Sequence, residues 1–375
     1  MSGATPVGQV CLIILLAGSI VLGLSACEMP GPGAAPARPA SPAPAGGPPS
    51  GPTPAPAAAA HYTHGMDLYH QGQYDQALAE YTQAIQLQPD YAEAIFYRGA
   101  AYAKKGDYDQ AIAEYNHALQ IQPDYADVYN NRGIAYNSEH KYSQAIADYT
   151  QALTLKPDWS WPYNNRGNVY RAQGEPDKAI ADYDQALKLD PGFAGAYMDR
   201  GNAYQDKSDS DHAIADYNQA LQLAPGYAEA YDSRGFTYLT LHNYDQAIAD
   251  FTHALQINPQ DTDAYYNRGS AEDYAGDYSR AISDYTQAIQ IDPRFTDAYT
   301  GRGNAYRDQG DLTQAVAEYT QAIQINPANA ASYNYRGIGY ERQHDYPRAI
   351  ADFTEAIQRQ PGYVNAYFNR GVAHK

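Results

Sequence analysis

Cysteine is almost absent: Cys11 and Cys27 are the only two in 375 residues, and both lie near the N-terminus. The rest of the chain therefore has no disulfide framework and no thiolate zinc site. Positive charge is also scarce. Against 43 Asp and Glu stand 25 Lys and Arg, a formal net charge of −18. An acidic surface repels phosphate backbones and anionic lipid headgroups, and no basic stripe with interleaved aromatics interrupts it. Nucleic acid is thereby set aside as a partner. Tryptophan occurs only at Trp159 and Trp161, and Phe at 7 positions. The signatures of chemistry are missing too: no phosphate-cradling glycine loop, nucleophile elbow, metal-ligand motif or cofactor fingerprint can be found. The expectation is a non-enzymatic protein without cofactor or metal.

What is abundant is tyrosine, 38 residues, set in a repeat. Pro89, Pro123, Pro157, Pro191, Pro225, Pro259, Pro293, Pro327 and Pro361 follow one another at intervals of 34 residues, and glycines from Gly65 through Gly167 to Gly371 keep the same step. A fixed period of this length means stacked units, each touching mainly its neighbours, with a continuous seam instead of one central core. The stretch from Tyr163 to Pro191 shows the unit. Tyr163, Gly167 and Tyr170, then Ala179, Ile180, Tyr183, Ala186 and Leu187, recur at three- and four-residue steps, which predicts two amphipathic helices. Gly174 separates them where a residue at positive φ can end a helix, and Pro191 stops the second. Tyr suits half-buried seam positions because its ring can be buried while its hydroxyl meets water.

This unit resembles the tetratricopeptide repeat, whose pattern Tyr163, Gly167, Tyr170, Ala179, Tyr183, Ala186 and Pro191 match. The resemblance implies an all-α, right-handed solenoid of helix-turn-helix repeats. Nine full units are expected over 58–363, with 364–375 as a tenth first helix acting as a C-terminal cap. His61 and His64 stand in the first unit where later ones carry Tyr and Arg. Divergence of an end repeat explains them better than a metal site.

The N-terminal region is of another kind. An uncharged apolar run extends from Cys11 to Ala26, shorter than the roughly 20 residues of a membrane span. Leu24-Ser25-Ala26-Cys27 resembles a bacterial lipobox. That likeness implies a signal peptide over 1–26 and lipidation of Cys27, although Met1 to Val10 carry no Lys or Arg. An uncleaved anchor is the other reading, and both place the repeats outside the cytoplasm. Glu28 after the cysteine favours an outer-membrane lipoprotein facing the periplasm over inner-membrane retention. Residues 27–57 are rich in Pro, Ala and Gly and predict an extended linker.

Two charge patterns stand out. Arg98, Arg132, Arg166, Arg200, Arg234, Arg268, Arg302 and Arg336 each precede a first-helix glycine. Sixteen residues after each lies an acid: Glu114, Asp148, Asp182, Asp216, Asp250, Asp284, Glu318 and Asp352. A ladder of partly buried ion pairs inside the units is expected. Glu272 takes a seam position held elsewhere by Tyr102 or Tyr170, and a carboxylate there is costly unless paired.

By the same resemblance, first helices line a concave groove for a partner peptide or helix. Positions facing it match Asn131, Asn165, Asp199 and Asn267 and, three residues on, Asn168, Asn202 and Asn304. Each amide offers both a donor and an acceptor to a peptide backbone. Trp161 replaces residues expected to be exposed and is a candidate binding hot spot, whereas Trp159 takes a core seam position. The sequence thus predicts a lipid-anchored scaffold for a protein or peptide partner, aiding assembly of an envelope complex. Two alternatives remain open: a homotypic module associating through the apolar terminal helix, and an accessory subunit of an envelope enzyme.

Overall fold

The computed structural model describes residues 54–375. The expected signal peptide, Cys27 and nearly all of the expected linker lie outside the described residues. Nineteen helices follow one another, with no strand among the described residues: α1 (Pro56–His70), α2 (Tyr74–Leu87), α3 (Ala92–Lys104), α4 (Tyr108–Ile121), α5 (Ala126–Ser138), α6 (Tyr142–Leu155), α7 (Ser160–Ala172), α8 (Pro176–Leu189), α9 (Ala194–Asp206), α10 (Ser210–Leu223), α11 (Ala228–Thr240), α12 (Tyr244–Ile257), α13 (Thr262–Tyr274), α14 (Tyr278–Ile291), α15 (Thr296–Gln309), α16 (Leu312–Ile325), α17 (Ala330–Arg342), α18 (Tyr346–Arg359) and α19 (Val364–Ala373).

Odd-numbered helices are first helices and even-numbered ones are second helices. Each second helix packs on its own first helix and on the next one along. First helices of neighbouring repeats also touch, whereas second helices do not touch one another. The stack is therefore tighter on the first-helix side, and that side is concave.

The local causes are those of the repeat. Asp107, Asp209, Asp277, Asp311 and Asp345 cap second helices by accepting from a backbone N–H three residues on, which satisfies one of the helix's free donors. The turn between paired helices needs one left-handed residue. Gly72, Gly106, Gly174, Gly276 and Gly310 supply it in five repeats, and His140, Ser208, His242 and His344 adopt it at φ 57–63° in the other four. In the histidine turns the ring is tied to the next tyrosine, as in His140 Nδ1 to the Tyr142 hydroxyl at 3.1 Å.

Packing between paired helices rests on one close approach. The first-helix glycine lies against the aromatic ring sixteen residues on. A Cβ built on Gly201 would stand 2.7 Å from the Tyr217 ring. Tyr183, Tyr217 and Phe251 are fully buried in this way, and Ala179, Ala186, Ala213 and Ala220 around them have no exposure.

The ion-pair ladder is present in full, from Arg98–Glu114 to Arg336–Asp352, at 2.6–2.8 Å. Aspartate rungs are bidentate: Arg166 donates from Nε to Asp182 Oδ2 and from Nη2 to Oδ1. Glutamate rungs use Nη2 alone, and the Nε of Arg98 and Arg302 is buried without a partner. The free Nη1 reaches back one repeat, to Thr150 from Arg166 and to Thr320 from Arg336. Each arginine thus ties its own second helix to the preceding one. His61 and His64 form the first rung, both on Glu80 at 2.6 and 3.2 Å.

A candidate protein-binding groove

The concave side is built from one face of each first helix. On α7 that face holds Trp161, Asn164, Asn165, Asn168 and Arg171. The structure brings the expected residues Trp161, Asn165, Asn168, Asp199 and Asn202 together on α7 and α9. Asn131 lies one repeat before them on α5, while Asn267 on α13 and Asn304 on α15 lie further along.

Their hydrogen bonds change the expected chemistry. Asn165 Nδ2 donates to Asn130 Oδ1 at 3.0 Å, and Asn164 Nδ2 donates to Asp199 Oδ2 at 2.8 Å. Both bonds cross from one first helix to the next. Asn131 Nδ2 is spent on the Asp127 carbonyl. Asn168, Asn202 and Asn304 each accept a tyrosine hydroxyl at Oδ1, from Tyr183, Tyr217 and Tyr319 at 2.6–2.9 Å. Apart from Asn267, which makes no such bond, these amides therefore do not offer a donor and an acceptor each. Those of Asn202 and Asn304 retain the Nδ2 donors, because the buried tyrosines need an acceptor at this place.

Asp199 is buried rather than lining an open surface. Burial pushes its carboxyl up, against the opposing pull of the Asn164 and Asn168 amides and of Arg171. Arg171 in turn holds Asp206 at 2.6 Å across the repeats. Trp161 is half-buried, not exposed, because the first turn of α7 leans on the entry of the next repeat and sets the indole 4.5 Å from the Phe193 ring. Trp159 is also half-buried, with Lys156 Nζ 5.2 Å from its ring centre.

Sequence reasoning missed the partners at Asn130, Asn164 and Asn334. Their signal is a polar pair spaced by 35 residues, one repeat and one position, as in Asn130 with Asn165, Asn164 with Asp199, and Asn334 with Asn369 at 3.0 Å. It also missed Asp232 on α11. Its Oδ1 is buried without a partner. Burial, then the charges of Asp261, Glu229 and Asp263, push this carboxyl up to about 8. Glu272 is buried at 4% exposure with Oε2 unpartnered. Burial, then the nearby Asp284 charge, raise it to about 7.

Models of the tetratricopeptide repeat match residues 62–126, 126–158, 160–193, 201–266, 262–295 and 330–363. A further TPR repeat model matches 303–344. No curated protein matches the chain. Among solved structures, the chain is similar to one in the APC/C hetero-tetramer Cut9–Hcn1, at 15% identity and a TM-score of 0.53 over 85% of this chain and 76% of that one. This likeness is one of fold. It is also similar to MamA, at 30% identity and a TM-score of 0.42 over 43% of this chain and 94% of that one. Similarity to a tetratricopeptide repeat protein from Parabacteroides merdae is 22% identity and a TM-score of 0.45 over 76% and 99% of the two chains. With family models covering nearly all of 62–363 and the same helix pair standing behind each match, the chain belongs to the tetratricopeptide repeat family.

Proposed function

We propose that this protein is a non-enzymatic scaffold that binds an extended peptide of a partner protein along its first-helix groove. The observation that carries this reading is the set of Nδ2 donors left on Asn202 and Asn304, whose oxygens are held by tyrosines from behind. Side chains fixed in that way present N–H groups with little entropy left to lose, and a peptide's backbone carbonyls are their natural acceptors. Trp161 beside the same face supplies an aromatic anchor.

The lipobox-like Cys27 supports a setting for this groove. In the proposal the cysteine carries the lipid, and the Pro- and Ala-rich stretch spaces the repeats from an outer membrane on its periplasmic side. There the scaffold aids assembly of an envelope complex.

Affinity capture from the native envelope tests the groove. The full chain is compared with a variant carrying Asn202→Asp and Asn304→Asp, which keep an acceptor for the tyrosines and remove the donors. A partner captured by the first and lost from the second is the expected result; equal capture by both overturns the groove assignment. Palmitate labelling that disappears in Cys27→Ser is expected for the anchor, and labelling that persists contradicts it.

A further inference from the structure

Three acceptors on the groove face are buried without a donor: Asn164 Oδ1 on α7, Asp232 Oδ1 on α11 and Asp273 Oδ1 on α13. Asp232 stands two repeats after Asn164 at the same place in its helix, and Asp273 three repeats after Arg171. Asn164 is 5% exposed. It gives an amide N–H to Asp199 at 2.8 Å, and its own oxygen receives none. A buried oxygen without a donor is costly, and a ligand group that donates would relieve it.

The surrounding charge decides which donor fits. On other first helices Asp127, Asp206 and Asp308 each hold a cation, Lys156, Arg171 and Arg307, at 2.6–2.8 Å. On α11 and α13 the only cations, Arg234 and Arg268, are spent on the ladder acids Asp250 and Asp284. Glu229, Asp232, Asp261, Asp263 and Asp273 make no ion pair within 4.0 Å among the described residues. No three metal-ligating side chains converge among those residues either, which leaves ammonium and guanidinium groups. These helices have repeats on both sides, so the gap is not one left by an end of the chain. Residues 1–53 hold one cation, Arg38, and a second copy of this chain brings a net charge of −18. Several cations in one stretch therefore come from another protein.

We propose that the groove from α7 to α13 receives a cationic stretch of the partner peptide, whose Lys or Arg side chains donate to Asn164 and Asp232. This rests on the groove reading above and gives its peptide a charge. The Nδ2 donor of Asn202 meets the backbone of that peptide, and the acceptors on either side of it meet the side chains. Burial, then the charges of Asp261, of Glu229 on its own helix, of Asp263 and of Asp250 on α12, push the Asp232 carboxyl up to about 8. The empty groove therefore holds a proton on Asp232 at pH 7, and an arriving cation displaces it to solvent.

The test uses the full chain and a short fluorescent peptide of alternating Lys and Ala, with a Gln-Ala counterpart. Saturable binding of the Lys peptide is expected, and binding about tenfold weaker or more for the Gln peptide. Asp232→Asn should weaken the Lys peptide about tenfold, because a charge-assisted bond is lost. Asn164→Leu should weaken it by less, because a neutral acceptor is lost. Asp211→Asn with Asp245→Asn, two exposed second-helix acids, should leave binding unchanged. Calorimetry at pH 7 in buffers of different ionisation enthalpy should show proton release on binding, diminished in Asp232→Asn. An unchanged unfolding midpoint shows that each variant is folded. Absence of saturable binding overturns the proposal. So do equal losses from the groove and second-helix variants, which mean attraction to acidic surface at large. Capture of the native partner through Asn202 and Asn304 is measured separately: capture without Lys-peptide binding removes the assigned charge and leaves the groove reading standing.

Discussion

Replacing Arg166 by Leu breaks one rung of the ladder in the middle of the stack. The acid left behind, Asp182, is 7% exposed and loses both of its bidentate bonds, at 2.8 and 2.7 Å. A carboxylate buried without a counter-charge costs about 3–5 kcal/mol. The lower end applies here, since the arginine side chain is 17% exposed, and the bond to Thr150 at 3.0 Å goes as well. About 3 kcal/mol is therefore expected from urea unfolding near pH 7. The double variant Arg166→Leu with Asp182→Leu should recover most of it, because an apolar pair of similar volume can stand in for a buried ion pair. A single variant within about 0.5 kcal/mol of wild type, or a double variant as unstable as the sum of its parts, would refute the reasoning.

Two further outcomes follow from the same packing. Glu272 is raised in the folded chain from 4.5 to about 7, so the native state holds its proton more tightly than the unfolded one. Its contribution is therefore most favourable below about 4.5 and is lost as the pH rises to 7, amounting to roughly 3 kcal/mol above that. Glu272→Gln should flatten the wild-type fall in urea stability between pH 5 and pH 8; an unchanged slope contradicts this. Gly201→Ala places a methyl 2.7 Å from the Tyr217 ring and should cost about 1–3 kcal/mol through overpacking. A melting temperature equal to wild type would show that the ring moves aside freely.

The repeat, its turns and its ion pairs were legible because each is a relation inside one unit. Arg166 and Asp182 stand sixteen residues apart on two helices that must face each other. Gly174 announced the left-handed turn for the same reason. What stayed hidden are relations between units. Thr150 as the second partner of Arg166, and Asn130 as the partner of Asn165, depend on how one repeat is rotated onto the next, which a single unit does not encode. The same stacking brings Phe193 against Trp161 and turns an expected exposed anchor into a half-buried one. The tyrosine hydroxyls that occupy Asn168, Asn202 and Asn304 were hidden by a further step, the direction of a buried side chain's polar tip. At Glu272 the sequence showed a missing tyrosine, and the structure adds that no partner takes its place.

Partner binding is proposed to occur on the first-helix face. Photo-crosslinking in living cells tests it most directly, with a benzoylphenylalanine placed at Trp161 or at Asn202, and at Gln185, an exposed second-helix residue, for comparison. One shared adduct is expected from positions 161 and 202 and none from 185. An adduct from 185 alone would contradict it and move the binding face to the second helices.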